Sequence, residues 1–83
     1  HYNMQDLVKI IYCPKCNWLM RASWMAQELL TTFDQELDGI TLMPSKVSGV
    51  YEIWYNDTLI FSRKDEQGFP EIKILKQRLR DLL

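Results

Sequence analysis

The feature that most constrains this chain is Cys13-Pro14-Lys15-Cys16, a cysteine pair set between a strand-like run and a helical one. The run Leu7-Val8-Lys9-Ile10-Ile11-Tyr12 is β-favouring and broken only by Lys9, which predicts a strand covered on both faces. From about Asn17 to Phe33, the residues Leu19, Ala22, Ala26, Leu29, Leu30 and Phe33 recur at spacings of three and four. That pattern predicts a helix with one inward stripe. The cysteines therefore fall at a strand-to-helix junction, with Pro14 where a helix would begin. The unpaired N–H groups and positive dipole end of a helix favour a thiolate over a thiol. The thiolate is the form that attacks disulfides.

The remaining segments supply a small scaffold. Asp34 to Gly39 closes the helical segment, and Ile40-Thr41-Leu42-Met43 is a short strand. A strand reached through a helix of this length pairs parallel with the first, in a right-handed unit. Pro44 to Gly49 is a loop. Val50 to Tyr55 and Thr58 to Ser62 are two strands joined by Asn56-Asp57, which reads as a tight hairpin. Arg63 to Gly68 is a charged run, expected to be a solvated loop. Pro70 opens the last helix, with Glu71 in its first turn and Ile72, Leu75, Leu79 and Leu82 as its buried stripe. The expected order is β-α-β-β-β-α: an α+β domain over residues 1–83, with a four-stranded mixed sheet and two helices.

Composition narrows the function. Ten basic residues against eleven acidic ones leave a net charge of −1, with no basic stripe, so no nucleic-acid partner is expected. The apolar runs are far too short to span a membrane, and His1 to Asp6 has neither the basic nor the apolar region of a secretory leader. Two cysteines are too few for a disulfide-stapled secreted fold. A Cys-x-x-Cys near a β-α-β pattern points instead to a redox motif in a reducing compartment, and a cytoplasmic location is expected.

The order of elements, with Cys-x-x-Cys after the first strand, resembles a minimal thioredoxin-like fold. More closely, the chain resembles the selenoprotein W/T/H group, the Rdx family, and in particular its bacterial cysteine-containing members. The matching stretches are Val8 to Cys16, Ser48 to Ile53, Leu59 to Lys64 and Gly68 to Lys73. The resemblance implies a thiol redox protein that exchanges with protein thiols or disulfides, linked to glutathione or thioredoxin as reductant and holding no other cofactor. It implies Cys13 and Cys16 as the redox pair. Cys16 matches the position that holds selenocysteine in animal members, which points to attack from Cys16. Thioredoxin logic makes the first cysteine, Cys13, the nucleophile, and Cys13 is preferred for a cysteine-only chain. Thioredoxins also carry a cis-proline before the third strand. Here Ser48-Gly49 stands in that place, so their docking geometry does not carry over; Gly49 offers room for a partner's close approach.

Other readings stand beside this one. The pair could be half of a zinc site, but the only other soft ligand is His1, so a second chain would be needed. The two thiols could also be inert core residues. Lys15 either stabilises a thiolate or is simply solvated. Trp18, Met20 and Trp24 lie off the helix's inward stripe. Trp18 is expected to form a docking surface beside the cysteines, and Trp24 to pack inside. Glu52, Tyr51, Trp54 and Tyr55 are read as ordinary strand residues. A non-catalytic module that binds a protein partner under redox control is the alternative function, and homodimerisation fits either.

Overall fold

The computed structural model describes residues 5–83. Strand β1 (Leu7–Tyr12) lies inside a four-stranded sheet of order β2-β1-β3-β4. On one side it pairs parallel with β2 (Gly39–Pro44), from Leu7↔Gly39 to Tyr12↔Pro44. On the other it pairs antiparallel with β3 (Tyr51–Tyr55), from Val8↔Tyr55 to Tyr12↔Tyr51. The parallel pairing requires a crossover, and helix α1 (Leu19–Thr32) supplies it. Strand β4 (Thr58–Ser62) returns antiparallel to β3 through Asn56-Asp57. Asn56 takes the positive φ that a tight turn needs, at 49°, and both its N–H and its side-chain oxygen bond to the backbone of Leu7. The four-stranded mixed sheet, the parallel β1–β2 pair and the β3–β4 hairpin are as the sequence predicts, and the antiparallel β1–β3 pairing completes the order.

The helix count differs. Beyond α1 there are two more helices, the single turn α2 (Arg63–Glu66) and α3 (Ile72–Arg80). The charged run is therefore not a plain solvated loop. The Ser62 hydroxyl accepts a hydrogen bond from the Asp65 N–H and caps α2, and Gln67 ends it in the left-handed region. Arg78 of α3 donates two hydrogen bonds to the Glu66 carboxylate, at 2.7 and 2.8 Å, and a third to the Ile60 carbonyl. Glu66 is held below its ordinary carboxylate range, chiefly by the Arg78 hydrogen bond. A carboxyl group depressed in this way contributes stability above its unfolded value and loses it as pH falls through the folded one. Both partners are more than a third exposed, so solvent screens the pair. Glu66→Gln is expected to cost under about 1 kcal/mol at neutral pH in denaturant titration, with the difference vanishing in acid below the folded value.

The core also departs from the expected stripes. In β1, Val8, Ile10 and Tyr12 are buried while Lys9 and Ile11 are half-buried. The helical and β1 core residues form one buried cluster, so one face of the strand is covered and the other is left partly open, against the expectation of two covered faces. On α1 the buried residues are Ala22, Met25, Ala26 and Leu29, followed by Phe33, while Leu19 and Leu30 are exposed. Met25 belongs to the stripe because a 3.6-residue repeat places it beside Ala22 and Leu29. On α3, Leu75 and Leu79 are buried, Ile72 is half-buried and Leu82 is exposed, because the helix ends at Arg80. Among the described residues, no helix is long and apolar enough to cross a membrane.

Candidate functional site

Strand β1 ends at Tyr12, and Cys13 to Cys16 follows as a separate short turn. Pro14–Cys16 is a single 3-10 turn with Pro14 in its first position. Asn17 then turns into the left-handed region at φ 63°, its N–H bonding to the Pro14 carbonyl at 3.1 Å. Helix α1 starts only at Leu19, with Trp18 as N-cap and no side chain capping it. The continuous helix expected from Asn17 is thus broken at Asn17, a residue type whose short amide tolerates positive φ. The uncapped first turn of α1 still carries unpaired N–H groups, but Cys16 precedes the N-cap by two residues instead of sitting inside the turn. Replacing Asn17 by valine should destabilise the fold by roughly 1–2 kcal/mol, while glycine should be nearly neutral. Thermal melts of the two variants check this.

The cysteines are brought together. Their Cα atoms are 5.4 Å apart and their sulfurs lie at disulfide distance, within the range that a disulfide spans. They differ in access: Cys13 is 1% exposed, Cys16 is half-buried, and Lys15 between them is exposed. The loop after β2 lies against this turn. The Ser45 N–H donates to the Tyr12 carbonyl at 2.7 Å, and Tyr51, at the loop's far end, is the register partner of Tyr12. The loop thus leaves from and returns to the residue before Cys13. Gly49 within it has φ +83°, and a Cβ there would meet nothing within 4 Å. Its glycine is required by the backbone conformation and not by lack of room. Among the described residues there is no cis peptide bond.

An aromatic cluster braces the turn. The Trp18 ring packs edge-on against Phe69 at 4.9 Å and Tyr51 at 6.3 Å, and Tyr51 packs against Phe69 and Phe61. Two guanidinium groups lie over this cluster: Arg21 is 3.9 Å from the Phe69 centroid, and Arg63 is 4.8 Å from Trp18. Burial pushes the Tyr51 phenol up to about 12, partly opposed by Arg21, so the group stays neutral through the physiological range. The expectations for the two tryptophans are reversed. Trp18 packs into the cluster, whereas Trp24 is 50% exposed beside Met20 at 83%. Four positions apart, Met20 and Trp24 share one helix face, and that face turns to solvent.

Glu52 is half-buried and accepts a hydrogen bond from the Trp54 indole N–H at 3.0 Å. The sequence reading places Arg63 in a solvated charged run and singles out neither it nor Phe69 as a site residue. Arg63 stands in a run of charges, and its stacking partners are distant in the chain. Among the described residues, no three His, Cys, Asp or Glu side chains gather as a metal site, and the His1 of the zinc reading lies outside those residues.

A sequence model of the Rdx family matches residues 7–81. Two solved structures are similar along nearly the whole chain. One, a protein from Bordetella parapertussis, is 48% identical, with a TM-score of 0.92, covering 96% of this chain and 100% of its own. The other, a selenoprotein W-related protein from Vibrio cholerae, is 47% identical, with a TM-score of 0.90, covering 95% of this chain and 98% of its own. No curated protein matches.

Proposed function

The chain belongs to the Rdx family, and from that premise we propose that it is a thiol–disulfide redox protein with Cys13 and Cys16 as its working pair. The observation that carries this reading is the pair itself: two sulfurs at disulfide distance in a braced turn, one buried and one reachable. The difference in access supports a division of labour. Cys16, the more exposed thiol, attacks a disulfide and forms a mixed disulfide, releasing one thiolate from the partner. Cys13 then attacks the Cys16 sulfur, forms the Cys13–Cys16 disulfide and releases the second thiolate. Two electrons pass to the partner, and glutathione or a thioredoxin returns them. The exposed Lys15, next to Cys16 in the chain, supports a thiolate there. This chemistry belongs to a reducing compartment such as the cytoplasm.

The test is to oxidise the reduced protein with a small disulfide and follow it by alkylation and intact mass. The two thiols should disappear together, with a fleeting adduct of one partner half. Stable double adducts, with no internal disulfide, would contradict the reading.

A second reading, a redox-gated binding module, is favoured by the solvent-facing Met20 and Trp24. It predicts capture of a protein partner that depends on the oxidation state, without turnover.

A further inference from the structure

We propose that the open face of the sheet is the interface of a symmetric dimer, in which Lys9 of each chain pairs with Glu52 of the other. This inference stands apart from the redox reading and does not depend on it.

The helices cover only one face of the sheet. Val8, Ile10 and Tyr12 of β1 and Tyr51 and Ile53 of β3 belong to the single buried cluster that α1 and α3 share. Successive side chains along a strand point to opposite faces. The register therefore sets two rows across the other face: Met43, Ile11 and Glu52 in one, and Lys9, Trp54 and Leu59 in the next. None of these six belongs to the cluster or packs against it. Four of them are apolar; Met43 and Leu59 are exposed, and Ile11 and Trp54 are only half-buried. A sheet face of this kind is completed by a second layer.

Charge identifies that layer as another copy of the chain. Lys9 and Glu52 are both half-buried, and they lie on adjacent strands, one row apart. Among the described residues neither is in an ion pair, whereas Lys76 and Arg78 are paired with Glu28 and Glu66. The Glu52 carboxylate is fixed over the face, because its Oε1 accepts the Trp54 indole N–H at 3.0 Å. Consider a two-fold axis lying between two such faces, perpendicular to the line from Lys9 to Glu52 and above its midpoint. It sets each Lys9 over the Glu52 of the other copy, so one operation forms both pairs. The two residues are offset more along the strands than across them. The strands of the two sheets then cross nearer to right angles than to parallel, which is an established mode of sheet packing. A partner surface of one sign would leave either Lys9 or Glu52 unmatched, whereas the face is complementary to itself. Met20 and Trp24 ride on α1, across the sheet from this face, so the dimer leaves them free. The patch is small for a stable interface, and a weak, concentration-dependent dimer is expected.

The test is sedimentation equilibrium of the reduced chain between about 10 µM and 1 mM. The parent should pass from monomer to dimer across that range. Lys9→Glu alone and Glu52→Lys alone each set like charges against one another at both pairs, and each should raise the dissociation constant by at least about tenfold. Mixed one to one, the two variants oppose unlike charges again. The mixture should then dimerise within about threefold of the parent constant. Adding Leu59→Glu to both should abolish that recovery, and Trp24→Ser should leave the parent dimer unchanged. Circular dichroism checks that each variant is folded. Should a reversal unfold the chain, Lys9→Gln and Glu52→Gln keep most of the side chain and should each weaken the dimer by a few-fold. A parent that stays monomeric to the top of the range would overturn the proposal. So would a dimer indifferent to both charge changes, or two weakened variants whose mixture does not recover.

Discussion

Cys16→Ser is expected to slow exchange with external disulfides by more than about a hundredfold, because a serine hydroxyl is not ionised near neutral pH. Cys13→Ser is expected to attack and then stall as a stable mixed disulfide. The asymmetry follows from access. Disulfide exchange needs the attacking sulfur to reach an incoming one, and Cys13 is almost wholly enclosed while Cys16 is only half-buried. Cys13 needs only to reach Cys16, whose Cα is 5.4 Å away. Intact mass after treatment with hydroxyethyl disulfide reads both variants directly. An adduct on Cys16→Ser and none on Cys13→Ser would reverse the roles.

Tyr51→Ala is expected to remove about 3–5 kcal/mol, comparable to deleting another buried aromatic ring. Tyr51 is among the largest fully buried side chains, and it meets Trp18, Phe61 and Phe69 at once. It also stands across from Tyr12, so its loss should loosen the turn that holds the cysteines. Each kcal/mol corresponds to roughly 4–8 °C in melting temperature for a domain of this size. Tyr51→Phe should stay within about 1 kcal/mol, since the ring, not the hydroxyl, makes these contacts. A Tyr51→Ala protein that melts like the parent would show that the cluster does not brace the site.

The strands, the parallel β1–β2 pair and the β3–β4 hairpin were legible in the sequence because local signals agreed with the global fold. The β-favouring runs, the Asn56-Asp57 turn and the helical spacing between the first two strands leave little freedom. Three features were not legible. The break at Asn17 is a single residue's backbone choice, invisible in the apolar periodicity of α1. The α2 turn is stabilised by Ser62 and by the Glu66–Arg78 pair, the latter twelve residues apart in the chain. The roles of Trp18 and Trp24 depend on which side of α1 Phe69 covers, and no pattern within the helix records that. At the site itself the cysteines were evident from spacing alone. Arg63 was not, because a cation in a charged run looks solvated until its stacking partners are known.

The measurement that most directly tests the central claim is the reduction potential of the Cys13–Cys16 pair. The protein would be equilibrated against defined ratios of reduced to oxidised glutathione and its free thiols counted. A single two-electron transition within roughly −200 to −300 mV, with both thiols lost together, is the predicted result. Two thiols that titrate independently, with no bond forming between them, would contradict the account.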